Sequence, residues 1–303
     1  MSQESDTTMP DQLLQEAYRA HQAGQVATAE QLYLRLLQLS PDDTDAGNLL
    51  GLLYLQTGRP AKAVPLIRKA VSNAPRDAQA HYNLGMALKD TGELSDAARH
   101  FRESARLEPR NPEASNALGN VLRQLDMPDA AIDSFRAALA ADANHVAARN
   151  GLSDALNDLG VSRNAESHTD EALALFGEAT ETNCDNADAW LNLGILREQC
   201  GDPPGAAAAY RAAIASRPEF VDAHFHLAHL SHQDIAEEEM DAMRALAGSP
   251  DLDAEARALL AYGLACGYEK QGNYEKEFGA LRRAHAFKAK QKSFDLGNIH
   301  RRF

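Results

Sequence analysis

Three observations on the 303-residue sequence predict an all-α fold, a right-handed α-solenoid of about eight stacked helix–turn–helix units with the seventh degenerate. A 34-residue pattern restarts at Pro10, Thr44, Ala78, Pro112 and Val146, and a repeat of that period stacks pairs of helices. Small residues, glycines and prolines recur at fixed offsets inside it. Hydrophobic residues make up 44% of the chain, yet there is a single Trp, as expected when alanines mediate helix contacts instead of one large core.

Each unit reads as helix, turn, helix, turn. Seven residues into the units stand Ala17, Gly51, Gly85, Gly119 and Ser153, usually preceded by leucine (Leu50, Leu84, Leu118, Leu152). Small residues there let two helices cross closely. Seven residues further, Gly24, Gly58, Gly92 and Gly160 read as turn glycines able to take the left-handed cap conformation, and Asp126 alone departs. Ala29, Ala63, Ala97 and Ala131 are followed after four residues by Tyr33, Ile67, Phe101 and Phe135. That spacing puts a small socket and a large knob on one helix face. Pro41, Pro75 and Pro109 then close the second helix, because proline cannot continue it.

This pattern resembles the tetratricopeptide repeat family. A sixth unit from Ala187 carries Trp190, Leu193, Gly194, Gly201, Ala206, Tyr210, Ala213 and Pro218, all in place. A seventh, from Val221, keeps Ala223, Leu227 and Ala228 before losing the pattern. An eighth recovers it from about Ala258, with Leu264, Ala265, Tyr268, Gly272, Tyr274 and Ala284. The expected organisation is a disordered tail over 1–9 and an array over 10–232 with units starting near 10, 44, 78, 112, 146, 187 and 221. A divergent helix and a last hairpin follow over 233–288, then a basic tail or linker over 289–303. One elongated body is expected.

Two irregularities interrupt the period. The alanine–aromatic pair of the fifth unit appears late, as Ala172 and Phe176, so seven extra residues are expected as a polar insertion near 161–168 that protrudes from one edge. Ser167 with Asp170 reads as a capping box restarting the second helix. The other irregularity is His224, His226, His229 and His232, of which the last three form a slanting stripe on one helix. The ends of that stripe are too far apart for one zinc ion, even with Asp234 near in sequence, so no metal site is expected and the histidines read as groove-lining polar groups.

Charge and composition narrow the function. A net charge of −14 excludes phosphate-backbone binding as the main task, so nucleic acid is not an expected partner. Basic residues gather from Leu281 to Phe303, with Arg282, Arg283, Lys288, Lys290, Lys292, Arg301 and Arg302 against Asp295. Such a segment is either a solvated tail or a surface for an acidic domain or anionic ligand. The start, MSQESDTTMPDQ, has no basic leader, and no stretch approaches the ~20 apolar residues of a membrane helix. A cytoplasmic protein with no membrane association is the expectation. Cys184, Cys200 and Cys266 form no CxxC and read as reduced structural thiols.

No phosphate-loop, dinucleotide-loop, nucleophile-elbow or HExxH motif is present, and Glu237, Glu238 and Glu239 read as a solvent-facing charge run. Neither enzyme activity nor a cofactor is expected. The family resemblance implies that the first helix of each pair lines a concave groove. Its non-packing positions are Asn48, Asn83, Lys89, Asn116, Asn120, Arg123, Asn150, Asn157, Asn192, Glu198 and His226. Asparagine amides donate and accept together, so a ladder of them can hold the backbone of an extended peptide whatever its sequence. The reading is a non-catalytic scaffold for a peptide or protein partner.

The C-terminal segment also resembles the repeat arm of bacterial tetratricopeptide-containing sulfotransferases. Tyr262, Leu264, Gly272, Tyr274, Phe278 and Arg282 fit that pattern, whereas Ala265 and Glu277 replace an expected Gly and Ala. The resemblance implies an alternative, a substrate-recognition arm for a sulfotransferase or other transferase whose catalytic domain acts in cis or in trans.

Overall fold

The computed structural model describes residues 9–230 and 235–291, with side chains up to 288. The expected N-terminal tail up to residue 8, the chain after residue 291, and His232 and Asp234 lie outside the described residues. Within them are sixteen helices and no strand. The helices are α1 (Met9–Gln22), α2 (Val26–Leu39), α3 (Thr44–Gln56), α4 (Pro60–Asn73), α5 (Ala78–Asp90), α6 (Leu94–Leu107), α7 (Pro112–Gln124) and α8 (Pro128–Ala141). They continue as α9 (Val146–Ala165), α10 (Thr169–Thr182), α11 (Ala187–Gln199), α12 (Pro203–Ser216), α13 (Val221–His229), α14 (Glu237–Ala247), α15 (Ala254–Lys270) and α16 (Tyr274–Gln291).

Polar caps start the first helix of most units. The Asp43, Asp77, Asn186 and Asp253 side chains accept from the backbone N–H three residues on, and Asn111 from the one two residues on. His145 performs the same task before α9, its Nδ1 accepting from Ala148 N at 3.0 Å. Each cap satisfies a donor that the helix leaves free and is worth about 1 kcal/mol. The turns follow at Gly24, Gly58, Gly92, Gly201 and Gly272, all with φ between 69° and 84°.

The hairpins close on one repeated contact. A Cβ built on Gly51, Gly85, Gly119, Gly160 or Gly194 would lie within 2.8 Å of the side chain of Ile67, Phe101, Phe135, Phe176 or Tyr210, respectively. Each knob stands sixteen residues after its glycine and is at most 2% exposed. The alanine four residues before the knob is buried beside it, but the gap the ring enters is the glycine of the first helix. Phe135 is held from two sides, since a Cβ on Gly151 would also meet its ring, at 2.5 Å.

The same contact corrects the reading of the fifth unit. Gly160 is not a turn residue; it lies inside α9, a helix of 20 residues, and faces Phe176. The polar segment expected as a protruding loop continues α9 as far as Ala165. The turn is made by Ser167, at φ 64°, and by Asp126 at φ 57° in the fourth unit. The capping box does not form, because the residue before α10 is His168, whose side chain makes no cap bond. Seven residues are close to two helical turns of 3.6 each, so the extension preserves the buried face. Gly160 thereby takes the place that Ser153 holds in the unshifted frame.

Compactness divides the chain into two units, Met1–Ala155 and Leu156–Phe303, with the boundary inside α9. In the first unit α1 to α8 form four hairpins, with α2, α4 and α6 packing on α3, α5 and α7. In the second unit α11 and α12 form a regular hairpin, whereas α13 is cut to nine residues. The core there is rebuilt with α14, whose buried Met240 and Met243 enter the space beside Gly267 and Gly263 of α15. Methionine's flexible thioether suits such an irregular gap.

Between α5 and α6, His81 and His100 approach with Nδ1 atoms 3.0 Å apart, and His81 Nε2 lies 3.2 Å from the Pro75 carbonyl. Burial, followed by the neighbouring His81 and Arg99, pushes His100 down to about 4 from the ordinary 6.5. The neutral ring is the folded form, so stability is full above pH 6.5 and falls as pH drops from 6.5 towards 4. Urea midpoints measured across that window should flatten in His100→Gln. Phe135→Ala removes the doubly held knob and should cost about 3–5 kcal/mol in urea unfolding.

Candidate peptide-binding face

The asparagines singled out above all lie on first helices, α3, α5, α7, α9 and α11, but they do not form one uniform ladder. Two pairs bond to each other. Asn83 Nδ2 donates to Asn48 Oδ1 at 2.9 Å, and Asn192 Nδ2 donates to Asn157 Oδ1 at 2.8 Å. Both pairs span 35 residues, one repeat plus one position, so they are the same contact in two places. Asn83 is further fixed by Gln79 Nε2 at 2.9 Å and is only 2% exposed. It works as a support that orients Asn48.

Asn116 occupies the Asn48 position of its own unit, and the residue 35 positions later is Gly151. Glycine has no side-chain amide to offer. The Asn116 Oδ1 atom is buried without a hydrogen-bond partner, a state that costs free energy until a donor reaches it. Asn120 and Asn150 are exposed.

The charged members are braced from within the fold. Arg123 Nη1 pairs with Asp154 Oδ2 at 3.0 Å, and Lys89 Nζ lies 3.6 Å from Asp90. Glu198 accepts the Tyr210 hydroxyl at 2.8 Å, and the His226 ring stacks on Tyr210 with centroids 5.4 Å apart. Burial, then the Glu198 hydrogen bond, raises the Tyr210 phenol. His226 is lowered by burial against the opposing pull of Glu198 and Asp222. Knob, acid and imidazole thus form one layered group whose outer member is a neutral ring.

The remaining described histidines of the stripe do not line that group. His224 is buried, its Nε2 2.9 Å from the Pro218 carbonyl, the same six-residue link that His81 makes to Pro75. His229 Nδ1 lies 3.2 Å from Cys266 Sγ and its ring stacks on Phe225. Among the described residues no three His, Cys, Asp or Glu side chains come together as a metal-holding set. All three cysteines are free thiols, with Cys184 and Cys200 exposed.

The sequence reading missed a cluster in the first unit. Glu30 of α2 receives Arg59 through both carboxylate oxygens, at 3.1 and 2.9 Å, and the Tyr54 hydroxyl at 3.0 Å, while the Arg59 guanidinium lies 4.5 Å from the Tyr54 ring centroid. The Arg59 hydrogen bond holds the Glu30 carboxyl below its usual range. Only a spacing of 29 residues links acid to base, and no local motif marks it.

Comparisons with known proteins agree with this architecture. A search of curated proteins found no match. Among solved structures the chain is similar to YrrB, a TPR protein with an unusual peptide-binding site, at 22% identity and a TM-score of 0.50, over 63% of this chain and 95% of that one. It is also similar to MamA, at 20% identity and a TM-score of 0.46 over 58% and 92%. A mutant Thermobaculum terrenum O-GlcNAc transferase shares 30% identity with a TM-score of 0.41, over 44% of this chain and 27% of that one. No described helix is long and apolar enough to cross a membrane. The tetratricopeptide repeat model matches residues 14–78, 48–112, 82–146, 117–166, 157–219 and 197–254. With the turn glycines, the socketed knobs and these overlapping matches in register, the chain belongs to the tetratricopeptide repeat family.

Proposed function

We propose that this chain is a non-catalytic scaffold that holds an extended peptide or partner segment against the first-helix face. The observation that carries the reading is the recurrent amide pair. Asn83 and Asn192 each use one N–H to orient the neighbouring Asn48 or Asn157, whose own N–H groups remain for a ligand backbone. At Asn116 the supporting partner is absent and the acceptor is unsatisfied. A peptide N–H supplies the donor such an acceptor lacks once the Asn116 amide turns outward, and backbone recognition of this kind tolerates many side chains. Lys89 and Arg123 add selectivity for side chains in the first unit, as Glu198 and His226 do in the second. The partner is a protein or peptide, neither nucleic acid nor membrane, and no cofactor is required.

A second reading, the recognition arm of a transferase acting in cis or in trans, has one observation in its favour. Phe278 of α16 stands at the repeat position of Ala98, Ile132 and Ala207, all buried to 4% or less, yet it is 64% exposed beside Tyr274 at 72%. A further body packed on α16 would cover both rings.

The first reading is tested with peptides selected on the intact chain from a random display library and measured by fluorescence anisotropy. Replacing Asn116, Asn120 and Asn150 together by Ala should weaken binding at least tenfold with helicity unchanged, since each lost amide contact is worth about 1 kcal/mol. Unchanged affinity removes the claim for this face, and turnover of a phosphosulfate donor by the chain alone overturns both readings.

A further inference from the structure

The last hairpin and the helix before it frame a cavity of about 200 Å³ that the peptide reading does not use. Three arginines from three helices border it, Arg244 of α14, Arg257 of α15 and Arg283 of α16. Three guanidinium groups around one small cavity are unexpected in a chain of net charge −14, because like charges brought together repel unless something between them is negative.

The compensation is uneven. Arg244 pairs with Glu237 and with Asp241 at 2.9 Å. Arg257 has only neutral partners, its Nη2 donating to the Ser249 and Pro250 carbonyls at 2.8 and 3.2 Å. Those two bonds hold the guanidinium in place, while its Nε is buried with no hydrogen-bond partner. Arg283 is exposed, and its Nε reaches only the Gly279 carbonyl at 3.3 Å. Among the described residues neither Arg257 nor Arg283 forms an ion pair. Two cations without an ion pair therefore border the same space.

We propose that this cavity is a binding site for a phosphate monoester. A phosphomonoester carries about −1.5 to −2 charges at neutral pH, which matches two free guanidinium groups better than a carboxylate does. Its oxygens accept the short, charge-assisted bonds that arginine forks provide. The cavity is smaller than the roughly 300–1,000 Å³ of sites for drug-sized ligands, so the organic group is short. Ala261, Leu264 and Phe287 give that group an apolar wall. The ester is either a free small molecule or a phosphorylated side chain of a partner protein, and the chemistry at the arginines is common to both.

The test is calorimetric titration of the full chain at low salt with inorganic phosphate, phenyl phosphate and a short phosphoserine peptide. Saturable binding of an ester, tighter than inorganic phosphate, is expected. Arg283→Gln should weaken it about tenfold, the effect of one charge-assisted hydrogen bond. Arg257→Lys keeps the charge but removes the planar guanidinium fork and should weaken it similarly. A thermal midpoint measured on each variant separates loss of the site from loss of the fold, and Arg283, being exposed, decides the matter if Arg257→Lys unfolds. Preference for the peptide over phenyl phosphate assigns a phosphorylated partner; the reverse assigns a small metabolite. Absence of saturable binding by all three probes at millimolar concentration, or affinity unchanged by Arg283→Gln in a folded chain, overturns the proposal.

Discussion

A bulky side chain entering the space of a missing Cβ, sixteen residues earlier in the chain, is the contact on which five of the hairpins depend. It sets the distance at which the two helices of a hairpin cross, and thereby the faces they leave for their neighbours. Interiors are packed densely enough that at these five crossings a methyl group would have to displace the side chain that fills the space. Glycine on the first helix and a bulky side chain on the second are consequently a single requirement written at two places. Alanine fills the surrounding positions because helices held this close leave room for little else.

That requirement explains how the chain absorbs seven additional residues without losing the stack. Two helical turns restore the buried face almost in phase, so the pair Gly160 and Phe176 forms as it does elsewhere, and Ser167 accepts the left-handed turn. Where the requirement is truly lost, after α13, the chain substitutes methionine against glycine. The resulting core of α14 and α15 is irregular, and the arginine-bordered cavity lies in that rebuilt region.

The candidate face follows from the same spacing. Amides 35 residues apart meet because one repeat plus one position brings equivalent faces of successive first helices together. This geometry turns Asn83 and Asn192 into supports and leaves Asn116, opposite a glycine, with an empty acceptor. A list of asparagines on one helix type treats all of them alike. Their roles separate only when each is asked what its partner one repeat away can offer.

Much of the fold was legible in the sequence, because a repeat writes its own neighbour contacts at a fixed period. The glycines at 51, 85, 119 and 194, the knobs, and the turn positions at 58, 92, 201 and 272 could be read from spacing alone, whereas the pairing of knob with glycine could not, because spacing put the socket at the alanine four residues before the knob. Gly160 could not. Its place in two competing frames is a choice between a turn and a helix crossing, and only the position of the Phe176 ring resolves it. The division of roles among the asparagines, the Glu30, Arg59 and Tyr54 cluster, and the gathering of Arg244, Arg257 and Arg283 were likewise decided by tertiary structure. Each depends on side chains from different helices whose separation in sequence follows no local motif, and whether a polar atom is satisfied is a property of the space around it.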